Sequence, residues 1–276
     1  AEQFDTVLGL SVDRINRRWT IDQGRHGVGT TRIIAIDLDT AEVVLDQTLA
    51  KELAPLGSFL QDLQVRADGR TDVIADASFW RKKPALIVYD VISGEARRVL
   101  ESHSSVAAEH YIIRNHDREL EFMGGTIALR GGVDGIALAP DWLYYGALSG
   151  SGLYRVRLSD LRDKKLSGEE LASRVERYSD KPLSDGLSAD SAGNIYITDV
   201  EHGAIFIVGN DRPLATLIKS ESLRWPDALS FGPDAYLYLA DSALPDVILQ
   251  NRAHIKAAGP YKIFRFRPGF EGVAGQ

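Results

Sequence analysis

Four stretches of the chain repeat one unit: FLQDLQVRADGRTDVIADAS, GGVDGIALAPDWLYYGALS, LSDGLSADSAGNIYITDVE and WPDALSFGPDAYLYLADS. Each opens with an aspartate (Asp62, Asp134, Asp185, Asp227), alternates apolar residues, turns at Asp, Gly or Pro, and runs a second β-rich segment. In three of them a second aspartate follows fourteen residues later, Asp76 after Asp62, Asp199 after Asp185 and Asp241 after Asp227. Such a unit is an antiparallel strand pair with a tight turn, and its recurrence at roughly 40 to 70 residues predicts an all-β propeller of four-stranded antiparallel blades. A degenerate copy, TVLGLSVDRINRRWTIDQG, ends on Asp22 and carries Leu8 in place of the first aspartate.

The repeat has a geometric consequence. In an antiparallel pair the start of the first strand and the end of the second share one edge. With the first strand of each unit lining the axis, Asp62, Asp134, Asp185 and Asp227 converge on an axial opening, and Asp22, Asp76, Asp199 and Asp241 lie just outside them. Aspartates at such places commonly tie down turns through backbone N–H groups. Several carboxylates at one mouth also call for a counter-charge, which suits a cation, a metal or an amine.

Composition narrows the function classes. A net charge of −7 over 276 residues, with no clustered Lys/Arg stripe, argues against nucleic acid. No stretch approaches the ~18 consecutive apolar residues of a membrane span, so no membrane partner is expected. There is no cysteine, which excludes disulfides, thiolate metal sites and a cysteine nucleophile. No leader pattern opens the chain, and Ala1 in place of Met is what a processed secretory chain or an artificially trimmed one shows.

Residues 6–48 read as four strands, TVLGLSV, RRWTIDQG, RIIAIDLD and VVLDQTL, and residues 59–100 read likewise. Helical candidates are short, around Leu49 to Leu53 and Gly168 to Arg174, the second with a Ser167/Glu170 capping signature. The connection from Leu100 to Gly131 is too long for a hairpin loop and holds His103, His110 and His116, whose intervals match no metal motif. It reads as a loop covering part of one face. GRHGVG at Gly24 to Gly29 reads as a loop between strands. Trp19, Trp142 and Trp225 read as packing between blades, and Trp80 as the exposed aromatic. No nucleophile or histidine–carboxylate pair stands out, and no catalytic residue is assigned.

RRWTIDQG, TRIIAIDLDTAEVV, FLQDLQV, DVIADAS, ALIVYDVISGEARRVL, GGVDGIALAP with LYYGALSGSGLYRV, GNIYITDVEHGAIF and WPDALSF fall in the order and spacing of the major royal jelly protein and Yellow family. The resemblance runs from about Val7 to Arg267, and the lack of cysteine resembles bacterial members rather than insect ones. It implies a six-bladed propeller, usually secreted, with a small-molecule site at the axial opening. Some members look like dopachrome-type isomerases and salivary ones resemble amine-binding scavengers. The fold is also that of the gluconolactonase group, whose axial divalent metal is held by acidic and amide side chains.

About five blades are visible in the sequence, so an N-terminal blade is expected to be missing or incomplete in what is otherwise one domain over residues 1–276. Alternatively the ring closes with five, or PYKIFRFRP joins the N-terminal strand in a shared blade. The leading expectation is a small-molecule-binding propeller for an amine or aromatic ligand, with Asp62, Asp134, Asp185 and Asp227 supplying charge and Trp80 or Tyr145 an aromatic wall. The alternatives are a lactone hydrolase or tautomerase dependent on a divalent cation such as calcium, held by Asp134, Asp185 and Asp227, and a protein-interaction platform. A secreted or periplasmic location is expected, and exposed blade faces would favour an oligomer.

Overall fold

The computed structural model describes residues 4–122, 125 and 127–272. Five antiparallel meanders follow one another. Blade 1 is Val7–Val12, Arg17–Asp22, Arg32–Asp37 and Val43–Thr48, and blade 2 is Leu60–Val65, Thr71–Asp76, Ala85–Asp90 and Glu95–Val99. Blade 3 is Val133–Leu138, Trp142–Ala147, Gly152–Arg157 and Glu176–Asp180, and blade 4 is Leu187–Ala189, Ile195–Asp199, Ala204–Gly209 and Arg212–Lys219. Blade 5 has three strands, Pro226–Phe231, Leu237–Asp241 and Lys262–Phe266. The first strands of successive blades lie side by side, from Val7–Val12 through to Pro226–Phe231, which makes them the inner strands of a propeller.

Blades stack face to face, so both faces of a middle strand are covered and it reads as a continuous apolar run. In blade 2, Leu63, Ile74 and Ile87 pack toward blade 1 with Trp19, Ile21 and Ile33, while Val73, Leu86 and Val88 pack toward blade 3 with Ile136 and Tyr145. Two glycines allow inner strands to approach this closely. A Cβ at Gly135 would lie 2.4 Å from Asp185 O, and one at Gly186 would lie 2.0 Å from Asp227 O. On blade 1 the pattern stops. Leu10, at the register position of the buried Leu63 and Ile136, is 58% exposed.

PYKIFRFRP supplies the third strand of blade 5, paired with Leu237–Asp241, and the N-terminal strand pairs within blade 1. The shared-blade expectation is therefore overturned. Gly168–Ala172 is a short helix with the reciprocal Ser167/Glu170 capping box, whereas in the stretch 49–53 only residues 51–53 form a turn. Gly24–Gly27 is a tight turn rather than a regular helix, with Arg25 and His26 in left-handed conformations.

In a meander, alternate connections fall on the same edge, and most long ones fall on the edge that carries the aspartates, whereas residues 158–175 of blade 3, with two short helices, cross the opposite edge. The largest, residues 100–132, contains two two-residue ladders, Arg114–Asn115 with Arg118–Glu119 and Glu121–Phe122 with Ile127–Ala128. It crosses from blade 2 over blade 3 to blades 4 and 5. Glu109 N donates to Ser149 O, Asn115 Nδ2 to Val200 O and to Arg224 O, and His116 N to Glu201 O. Beneath it Ile113, Leu120 and Leu129 bury against Leu148, Leu183, Val200 and Trp225. The expected covering loop is thus a strapped cap with its own apolar core.

Candidate functional site: the axial acids and their cap

The second aspartates of the repeats are anchors. Asp22 accepts from the N–H groups of Asp5 and Thr6 at 2.9 and 2.8 Å, Asp76 from Phe59 at 2.7 Å, and Asp241 from Trp225 at 2.7 Å. Each thereby ties the end of a second strand to the segment entering its own inner strand. A cation sits against each of the three: Arg32 on Asp22 at 3.1 Å, Arg98 on Asp76 at 2.8 Å and Arg224 on Asp241 at 3.6 Å. Burial works against the Asp22 carboxylate, but the Thr6 and Asp5 amides with Arg32 hold it below the usual carboxylate range. Asp199 differs: it accepts from Glu201 and His202 amides, and the place of the arginine is taken by the His202 imidazole, whose Nδ1 lies 2.9 Å from Oδ2.

The first aspartates behave otherwise. Asp134 and Asp227 lie second in their inner strands, and Asp185 lies two residues ahead of Leu187–Ala189. Asp62 is out of register with them. Leu63 pairs with Ile74 as Ile136 pairs with Tyr145, so Gln61, not Asp62, occupies the place of Asp134. A longer turn in blade 2 preserves the fourteen-residue spacing and conceals the shift. Asp62 instead spans two blades, accepting from Leu63 N at 2.7 Å and from Ile136 N of blade 3 at 3.1 Å.

The four carboxylates nevertheless form one electrostatic cluster. Burial raises Asp134 well above the usual range, and the charges of Asp185, Asp227 and Asp62 push it further. Burial and Asp227 raise Asp185 in the same way, opposed by Trp225 and Lys181. Burial raises Asp227, and burial with the Asp227 charge brings Asp62 to about 7. Asp134 Oδ1 is buried with no hydrogen-bond partner. Asp185 Oδ2 accepts the Trp225 indole N–H at 2.6 Å.

Two residues not assigned from the sequence complete the site, Lys181 and Trp225. Lys181 is 5% exposed, and burial pushes its ammonium down to about 7 against the pull of Glu109, Asp134, Asp185 and Asp199. Its chain lies in a notch that only glycine leaves open, since a Cβ at Gly146 would be 2.3 Å from Lys181 Cε. Nζ donates to Pro182 O at 3.0 Å. The ammonium is a built-in countercharge at the edge of the cluster, beyond ion-pair distance of Asp134 and Asp185.

The expected aromatic wall is not assembled around these acids. Tyr145 is fully buried in the core between blades 2 and 3, and its hydroxyl meets Ser105 Oγ at 2.8 Å. Trp80 is 64% exposed and meets His26 edge-on, beside Phe59. The cap histidines diverge as well: His103 turns to Ser105, His110 to Arg130 and His116 to Leu223 O. Asp134, Asp185 and Asp227 share a field, yet among the described residues no three His, Asp or Glu side chains gather as a metal ion needs. Neighbouring Lys181 further disfavours a divalent ion there, so no chemistry is derived through one.

The family model for major royal jelly protein matches residues 5–249. The chain belongs to the major royal jelly protein family. Among curated proteins none matches. Among solved structures it resembles a luciferin-regenerating enzyme, with TM-score 0.59 and 12% identity over 99% of this chain and 94% of that one. A gluconolactonase from Xanthomonas campestris gives 0.53 and 16% identity over 84% and 68%. A streptogramin B lyase gives 0.53 and 14% identity over 87% of this chain and 63% of that one, so this chain spans less than two thirds of the lyase. At such identities the likeness establishes the propeller and not an activity.

Proposed function

We propose that this family member binds a small cationic ligand, an amine on an aromatic or aliphatic frame, at the axial cluster of Asp134, Asp185 and Asp227. The observation that carries the reading is Asp134 Oδ1, buried without a donor among carboxylates that raise one another. A buried acceptor in that position lacks about 1–3 kcal/mol of hydrogen bonding, and an ammonium supplies both the donor and the charge. Access is supported by the half-buried Asp62 and Asp227 and by the exposed Ala228 beside Asp227. The cap closes the cluster from the loop side, where Asp134 and Asp185 are 2% and 6% exposed. Trp80 stays on the same face as a proposed contact for a larger ligand.

Thermal melting tests this. In the presence of chelator, dopamine or serotonin raises the melting temperature of the wild type with the logarithm of concentration, about 2.7 kcal/mol at a hundredfold excess over Kd. Asp134→Asn and Asp185→Asn lose the response. Stabilisation by calcium that vanishes in the same variants would instead favour a metal-dependent lactone hydrolase or tautomerase. No response to amine, calcium or magnesium would leave an interaction platform.

A further inference from the structure

Blade 4 departs from blades 1, 2 and 5 in one chemical respect. Where Asp22, Asp76 and Asp241 hold arginines, Asp199 holds His202. A guanidinium on a buried carboxylate is a permanent ion pair with nothing left to titrate. An imidazole in the same place keeps a second nitrogen. Asp199 is buried, its Oδ1 accepts the N–H groups of Glu201 and His202, and it lies 2.9 Å from His202 Nδ1. A carboxylate so engaged only accepts, which assigns the hydrogen to Nδ1 and leaves the Nε2 lone pair free. The side chain is 62% exposed.

His202 faces a cleft of about 450 Å³ between the 114–119 hairpin of the cap and the loops that end and begin the outer strands of blade 4. Arg114, His116, Asp117, Lys219 and Glu221 line it too. The wall is fixed, because Glu201 accepts from Arg114 N at 2.7 Å and its carbonyl from His116 N at 3.2 Å. Ser220 N donates to Gly203 O, which seats Lys219 beside the His202 turn. Arg114 is paired with Glu119, while the Lys219 ammonium has no ion-pair partner among the described residues.

We propose that Asp199 and His202 form a general-base dyad serving this cleft, and that it hydrolyses small uncharged or cationic carboxylic esters. His202 Nε2 takes a proton from water as the water oxygen attacks the ester carbonyl carbon. The Lys219 ammonium faces the negative charge that develops on the carbonyl oxygen. The acyl C–O bond then breaks, the proton on Nε2 passes to the departing alkoxide, and a carboxylic acid and an alcohol leave the dyad as it began. Asp117 and Glu221 on the rim repel anionic esters. His202 is the catalytic residue and Asp199 the positioning residue. The proposal stands apart from the axial cluster and does not depend on ligand binding there.

The test uses p-nitrophenyl acetate. The wild type shows saturable hydrolysis, and His202→Gln, which keeps a donor toward Asp199, lowers kcat by about 100-fold or more. His202→Arg rebuilds the pair of blades 1, 2 and 5 and abolishes turnover without lowering the melting temperature. Asp199→Asn lowers kcat with KM little changed, and nitrogen NMR shows the His202 proton moving from Nδ1 toward Nε2. His254→Ala, on the exposed helix Arg252–Ala257, leaves the rate unchanged. A wild type no faster than an equal concentration of free imidazole overturns the proposal, as does a His202→Gln variant with undiminished kcat.

Discussion

Trp225, at the entry to the inner strand of blade 5, donates its indole N–H to Asp185 Oδ2 of blade 4 across 2.6 Å. Two of the axial acids therefore reach a donor on the next blade, Asp185 through Trp225 and Asp62 through Ile136 N of blade 3. This couples the charge state of the axis to the packing of blades. It also couples the axis to the cap, because Trp225 is part of the apolar core beneath the 100–132 segment.

Trp225→Phe should keep much of that packing and remove the indole donor to Asp185. A buried carboxylate left short of a donor costs about 1–3 kcal/mol, so the denaturation midpoint falls and Asp185 is driven further toward its protonated form. Chemical denaturation at neutral pH checks this. An unchanged midpoint would mean that the hydrogen bond contributes nothing net.

Gly186→Ala places a Cβ 2.0 Å from Asp227 O, against backbone that cannot yield without moving blade 5. The expected loss is about 1–3 kcal/mol or more. Gly168→Ala, whose Cβ meets nothing within 4 Å, serves as the control and is expected to be neutral or slightly stabilising. Equal melting temperatures for the two variants would argue against tight inner-strand contact.

Asn115 fastens the cap by donating to carbonyls on blades 4 and 5, Val200 O and Arg224 O. Asn115→Ala strands two buried acceptors, and hydrogen exchange should accelerate in residues 113–120 and at the approach to blade 5 while the inner strands stay protected. Exchange raised uniformly over the whole chain would show instead that the cap is not a separate unit.

Stability should depend on pH with an unusual sign. Burial raises Asp62 to about 7 in the folded chain, whereas an unfolded aspartate titrates near about 3.9. Across that window the native state holds a proton the unfolded chain has lost, so stability falls as pH rises from about 4 to about 7. Asp134, Asp185 and Asp227 are raised too and add to the slope. Lys181 works the other way: its folded value of about 7 lies below the unfolded value of about 10.4, so stability recovers as pH rises between them. Denaturant midpoints from pH 4 to 10 should trace a minimum near neutrality, with a flatter acidic limb in Asp62→Asn. A maximum at pH 7 that ignores Asp62→Asn would contradict this.

The repeat made the strands of blades 1 and 2, the inner position of the aspartate-bearing strands and the capping box at Ser167 legible, because each rests on local periodicity or turn chemistry. The offset of Asp62 was not legible. Its spacing to Asp76 matches that of the other pairs, and only the register between strands shows that Gln61 takes the place of Asp134. Tyr145 reads in the sequence as an aromatic wall at the opening, but blade stacking covers both faces of its strand and buries it. The parts Lys181 and Trp225 play toward the acids were not legible, Trp225 reading only as packing, because the residues they meet lie on other blades or far along the chain. The Asp199–His202 pair is three residues apart and was within reach of the sequence; taking Asp199 only as one of four repeated anchors concealed it.

The account turns on a cation meeting protonated acids at the axis, and calorimetric titration with dopamine at pH 7, in two buffers of different ionisation enthalpy, tests it most directly. Asp134, Asp185 and Asp227 have their proton affinity raised by burial and by one another, so an ammonium entering the cluster displaces protons into the buffer. The predicted result is saturable binding whose apparent enthalpy differs between buffers in the sense of proton release, lost in Asp134→Asn. Binding with the same enthalpy in both buffers, or binding untouched by Asp134→Asn, would contradict the axial site.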